Sequence, residues 1–224
     1  MSFPHEAEPD CGCYRLGIKV PPGFVITSET CKDFLEGNRA MPAPLNDALK
    51  FSISNLEKAT GKSFSISEKS LSTVSPLLLS IRSGASVDMP RSHQYKIQFL
   101  LILISMMDSI LNIGVNDVVI RRLRDQTKNP RFAYDVQKRF LQMFGTVVRK
   151  VSKDDFLKIV MEAKARDGVT KDSELSTEAL QHVIQEFKKL VDVPDDPFEQ
   201  LKVAVEAIFG SWLESRWVIS PYLL

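Results

Sequence analysis

Apolar residues recur at intervals of three and four through much of this chain, and in short unbroken runs elsewhere. From about Pro44 to Thr60, Leu45, Ala48, Leu49, Ile53 and Leu56 share one helical face, and Gly61 closes the helix. Before it, Thr27 or Ser28 starts a helix with Glu29 in the first turn and Gly37 as its stop. Asn116 is an N-cap for a helix with Val118, Val119 and Leu123 on one face. Asn129-Pro130 opens the next, in which Phe132, Val136, Phe140 and Phe144 lie four apart and read as the core stripe. Lys153-Asp154-Asp155 leads into Phe156, Ile159, Val160 and Ala163, ending before Gly168. Leu175-Ser176-Thr177-Glu178 caps a helix of Leu180, Val183, Ile184 and Phe187. The last helix, Pro197 to Trp212, buries Phe198, Leu201, Val205, Ile208 and Phe209.

Strand signals are fewer. Val20 to Thr27 reads as a short strand around the Pro21-Pro22-Gly23 turn. Leu77 to Ile81, bounded by Pro76 and Ser83-Gly84, reads as a buried strand. Ser63 to Ser75 is serine-rich and without period, so it reads as loop, and residues 1–14 read as a loop or disordered leader. The fold class expected is α+β, helix-rich, with a small sheet.

Composition narrows the function classes. The chain has 224 residues, 44% apolar and 25% charged, which suits one large or two small globular domains. A net charge of +1 argues against a nucleic-acid surface or an anionic membrane as partner. The apolar stretch Gln98 to Ile104 is too short to span a bilayer. Glu6, Glu8 and Asp10 argue against an organellar transit peptide, and Cys11, Cys13 and Cys31 read as free thiols of a reducing, cytoplasmic setting. Cys11-Gly12-Cys13 has one other Cys and three scattered His to work with, so no zinc site is expected.

The candidate chemistry lies at the end of the Leu77–Ile81 run. Arg82 follows that strand and precedes Ser83-Gly84. A guanidinium fixed there, beside flexible backbone, matches phosphate oxygens two at a time. The alternative is an arginine that caps the strand and pairs with a nearby carboxylate. Arg121, Arg122 and Arg124 read as a solvated helix face, and Arg131, Arg139 and Asp135 as a structural ion-pair set.

Leu79-Ser80-Ile81-Arg82-Ser83-Gly84-Ala85, then Val87-Asp88-Met89-Pro90, then Met106-Met107-Asp108-Ser109-Ile110-Leu111-Asn112-Ile113-Gly114, resemble the N-terminal ATP-binding domain of pyruvate, phosphate dikinase. Val20-Pro21-Pro22-Gly23-Phe24-Val25-Ile26-Thr27 resembles that family's early strand. Arg131 to Asp135 with Arg139 to Gly145 resembles its helical subdomain, and Asp195-Asp196-Pro197 with Glu199-Gln200-Leu201 resembles the return to the first subdomain. The resemblance covers roughly residues 15–216.

There are two departures. The family carries a lysine in a glycine-rich stretch upstream of the segment matched by Arg15-Leu16-Gly17, and no lysine precedes Tyr14 here. The family also has one glycine between Met-Pro and Met-Met-Asp, where this chain has Arg91 to Ser105. That insert is either a real elaboration or translated intron or gene-model error. Its place, in a loop where glycine permits close backbone approach, favours the second.

The resemblance implies a partial ATP-grasp nucleotide-binding domain. It implies a first α/β subdomain at 15–115 with the insert at 91–105, a helical subdomain at 116–192, and a return helix with apolar tail at 193–224. Arg82, Ser83 and Gly84 would contact ATP phosphates, and Met89, Pro90, Met106 and Met107 would belong to the loop that covers them. The Mg2+ ligands and the phosphohistidine of the family match nothing in this chain, so no catalytic residue is assigned and the chain is not expected to complete phosphoryl transfer alone. A homodimer is also implied. The alternative is a non-catalytic binding or regulatory module, or a gene-model fragment.

Overall fold

The computed structural model describes residues 20–66, 74–83 and 109–211, together with the backbone of residues 5–6. They fall into two compact units, Met1–Leu77 and Leu78–Leu224.

In the first unit, β1 (His5–Glu6) pairs antiparallel with β2 (Phe24–Val25). Within the segment expected to be leader, two residues are therefore paired backbone, and the strand expected over Val20–Thr27 is reduced to two residues. Helix α1 (Ser28–Glu36) and helix α2 (Ala43–Thr60) follow. The α2 face of Leu45, Leu49, Ile53 and Leu56 is buried as its spacing predicts. Gly61 ends α2 in the left-handed region at φ 66°, where a side chain would be strained. Glu57 then accepts from the Phe64 N–H at 2.7 Å and from Ser63 Oγ at 3.0 Å, holding the chain as it leaves the helix. Ser63 bridges to Pro76 in parallel fashion, so the serine-rich stretch is framed by backbone hydrogen bonds at its two ends. Burial pushes the Cys31 thiol up to about 11, which leaves it a packing group.

In the second unit, β3 (Leu79–Arg82) pairs antiparallel with β4 (Ser109–Ile113). Five helices follow: α3 (Asp117–Thr127), α4 (Pro130–Val147), α5 (Lys153–Asp167), α6 (Thr177–Leu190) and α7 (Pro197–Ser211). A 3-10 turn, Asp172–Glu174, precedes α6. The caps at Asn116, Asn129 and Ser176 are those the sequence announces, and Ser152 is a further one that it did not. Asn116, Asn129, Ser152 and Ser176 each accept a backbone N–H in the first turn of α3, α4, α5 and α6.

Helix α4 is the centre of this unit. It packs against α3, α6, α7 and β4. Its buried face differs from the four-residue stripe expected. Phe140 and Phe144 are buried, but Phe132 is 47% exposed and Val136 is half-buried. Four residues turn an α-helix about 40° past a full rotation, so a strict four-residue repeat drifts off any one face. The face that packs is Ala133, Gln137, Phe140, Leu141 and Phe144, which alternates three and four. Similar corrections hold elsewhere. Val118, Leu123, Ile159 and Phe198 are half-buried, while Ile120 and Ala204 take deeper positions and Val119 is buried as expected. Strand β3 is also less buried than its apolar run suggests: Leu79 and Ile81 are half-covered, and Ser80 and Arg82 exposed. A two-stranded sheet has one face to pack, so its residues alternate.

Gly145 lies where α4 meets the α5 and α6 ends. A Cβ there would sit 2.6 Å from Phe156 Cζ and 2.6 Å from Val191 Cγ2. Phe156 is itself fully buried and packed edge-on against Phe187, ring centroids 4.8 Å apart. Neither neighbour has room to yield. Gly145→Ala is therefore expected to lower stability by about 1–3 kcal/mol, read as a reduced urea midpoint. Among the described residues no helix is long and apolar enough to cross a membrane.

Candidate functional site

The residues that the sequence singles out begin where β3 ends. Arg82 is the last residue of β3 and stands opposite Ser109, the first of β4. Its side chain is exposed and makes no hydrogen bond or ion pair among the described residues. The strand-capping alternative, an arginine paired with a nearby carboxylate, has no such partner there. Ser83 follows, one residue beyond the paired strand. Ser83 is 4% exposed, and its Oγ has no hydrogen-bond partner among the described residues. Gly84, Met89, Pro90, Met106 and Met107, and the insert Arg91–Ser105, lie outside the described residues.

Two features fix the strands at this lip. The first is a bulge in β4. Leu79 faces Ile113 and Ile81 faces Ile110, so two steps on β3 oppose three on β4. Asn112 takes up the extra residue at φ 63°, a conformation its short polar side chain tolerates. Ile110 and Ile113 are an odd number of residues apart and would face opposite sides of a regular strand. The bulge lets both be fully buried.

The second is Gln200, on the buried face of α7 and fully enclosed. Its Oε1 accepts from the Gly114 N–H at 2.9 Å, just past β4. Its Nε2 donates to the Val115 carbonyl at 2.9 Å and to the Pro194 carbonyl at 2.8 Å. Sequence reading placed Gln200 in the resembling stretch and missed its role. The available signal was a polar residue at the three-and-four spacing of the buried positions Pro197, Leu201 and Ala204.

Apart from the lip is a cleft of about 370 Å3 lined by Val115, Asp117, Gln137, Phe140, Lys188 and Pro194 among others. Neither Arg82 nor Ser83 lines it. Its polar groups satisfy one another. Lys188 reaches both Asp117 oxygens, at 2.7 and 2.9 Å, and Gln137 Nε2 donates to the same carboxylate at 2.9 Å. Burial works to raise the Asp117 carboxyl, but the Lys188 and Gln137 hydrogen bonds outweigh it and hold it below the usual carboxylate range.

No family model matches the chain. Individual proteins do. The chain is 37% identical over 215 residues to the pyruvate, phosphate dikinase of Rhizobium meliloti, covering 93% of this chain and 22% of that protein. It is 35% identical over 211 residues to that of Clostridium symbiosum, and 36% over 214 residues to that of Entamoeba histolytica. The chain resembles a stretch of pyruvate, phosphate dikinase. It spans about a fifth of the length of these relatives, 22% in each. With 93% of the chain covered, the similarity takes in residues of both units.

A second polar cluster in this dikinase-like chain carries charge into the core. Lys138 on α4 is only 3% exposed, with its ammonium 3.1 Å from Asp172 Oδ2 and 3.5 Å from Asp135 Oδ1. Lys164 of α5 holds the other Asp172 oxygen. Arg139 pairs with Asp135 at 2.8 Å, as expected. Arg131 departs from the expected set: it donates to the backbone carbonyls of Leu175 and Asp172. The 3-10 turn brings those carbonyls to α4, an approach that sequence spacing does not show. The Lys164 hydrogen bond, helped by Lys138 against a smaller effect of burial, holds the Asp172 carboxyl below its ordinary 3.8.

Two outcomes are expected. Gln200→Leu leaves the Gly114 N–H and two carbonyls without their partner, so urea denaturation should show a loss of about 1–3 kcal/mol. The Asp172 carboxyl is lower in the folded chain than in the unfolded one. Its contribution is therefore full above pH 3.8 and is lost as pH falls through the depressed folded value. Thermal melts from pH 6 down to about pH 2 should show Asp172→Asn with a shallower acid decline than the parent.

Proposed function

We propose that this chain provides part of an ATP-binding surface of the dikinase kind, within a partial ATP-grasp arrangement. Arg82 is the positive fork for nucleotide phosphates, and Ser83 and Gly84 are the turn beside it. Met89, Pro90, Met106 and Met107 belong to the covering loop. The subdomains run 15–115, 116–192 and 193–224. ATP enters with Mg2+, whose ligands are not assigned to residues of this chain. These residues bind the nucleotide and do not by themselves complete phosphoryl transfer towards phosphoenolpyruvate.

The observation that carries this reading is an exposed guanidinium with no partner among the described residues, at the end of a strand, inside a stretch similar to pyruvate, phosphate dikinases. Arginine suits that place because its planar donors meet two phosphate oxygens at once. Phosphoryl-transfer enzymes depend on such positioning and charge neutralisation more than on covalent chemistry.

Calorimetric titration of the chain with magnesium-ATP tests it. Saturable binding is expected, weakened at least about tenfold in Arg82→Ala, as for loss of a charge-assisted hydrogen bond. Absence of binding by the folded parent chain would overturn the reading.

A further inference from the structure

We propose that the outer face of α5 is a docking surface for a second copy of this chain, which it meets as an antiparallel pair of α5 helices. The inference is independent of the nucleotide reading. It stands on the order of apolar and charged residues along one helix.

Helix α5 is apolar on two sides. Phe156, Val160 and Ala163 face the core, where α5 packs on α6 and α4. On the other side Leu157 is 50% exposed and Met161 66%, and Ala165, also exposed, continues their four-residue spacing. Single exposed apolar side chains are ordinary, but a helix with one side in water normally keeps that side polar. Beside this row runs a second of the same spacing: Asp154, Lys158, Glu162 and Arg166, all exposed. Its signs alternate from acidic to basic, so reading the row backwards reverses every sign. A two-fold axis across the helix therefore brings Asp154 level with Arg166 of the second copy and Lys158 level with its Glu162, each pair formed twice. A parallel pair would set like charge against like, so the charges select the antiparallel arrangement. The apolar rows then close on each other, with Met161 near the axis. Within the chain the central charges are weakly engaged. Lys158 lies 3.8 Å from Asp155 at the surface, and Glu162 has no ion pair among the described residues. Four-residue rows wind round a helix, so Met161, Lys158 and Glu162 carry the contact. One pair of helices this short buries less than the roughly 1,200 Å2 at which stable interfaces begin, so the association is weak and reversible.

Sedimentation equilibrium of the full chain from about 5 to 500 μM tests this, and a monomer–dimer equilibrium is expected. Lys158→Glu sets negative charges together and Glu162→Lys positive ones, so each variant alone should self-associate at least about tenfold more weakly than the parent. Mixing the two variants should restore association to within about threefold, because each flanking pair is then opposite in sign. The two substitutions combined in one chain, which leave its net charge unchanged, should restore it as well. Met161→Glu should abolish association and leave the urea midpoint of the monomer unmoved, since the side chain lies at the surface. A parent that stays monomeric over this range overturns the inference and leaves the face to a different partner. A dimer that the single variants and Met161→Glu do not weaken overturns it too, because the contact then lies elsewhere. Weakened single variants that neither mixing nor the combined variant restores overturn the antiparallel pairing and the inference with it.

Discussion

A single buried amide holds the second unit to its sheet. Gln200 has no access to water, so each polar atom on it must find a partner in the protein. It finds three main-chain groups: the Gly114 N–H, the Val115 carbonyl and the Pro194 carbonyl. Two lie where β4 passes into α3, and the third lies just before α7. The turn after β4 and the start of α7 are separated by more than eighty residues and are set by one side chain. Asn116 adds a second tie to the same place, through its Nδ2 to the Asp195 carbonyl at 3.2 Å. The position of β4, and with it the lip at Arg82, follows from these bonds.

Charge inside the helical layer obeys the same rule. Lys138 is enclosed, and an ammonium there is tolerable because Asp135 and Asp172 flank it. Asp172 in turn receives Lys164, and the carbonyls around it receive Arg131. The 3-10 turn, a short element of little intrinsic stability, is thereby fastened to α4 and α5. Such a network fixes arrangement more surely than it adds net stability, since ions lose hydration on burial. The Asp117–Lys188–Gln137 set plays a similar part at the α3 start, where the carboxylate also meets the positive end of the helix. Against this background of satisfied groups, the unpaired Ser83 hydroxyl and the exposed Arg82 mark the lip as the place where local consistency is relaxed.

Sequence alone determined the helices and most of their caps. Asn116, Asn129 and Ser176 are local signals that act through bonds two or three residues away, so they are legible without the fold. The α6 face of Leu180, Val183, Ile184 and Phe187 was legible because three-and-four spacing is a property of the helix itself. The resemblance to pyruvate, phosphate dikinases was legible as an ordered set of motifs. Tertiary structure decided the rest. It moved the α4 face away from Phe132, because burial follows neighbours across the layer as well as the helix period. It placed an αL bulge at Asn112, turned Arg131 toward the 3-10 turn, and buried Gln200 and Lys138 with their partners. These outcomes depend on groups distant in the chain, where dense packing and low dielectric make pairing obligatory, and no local pattern carries that information.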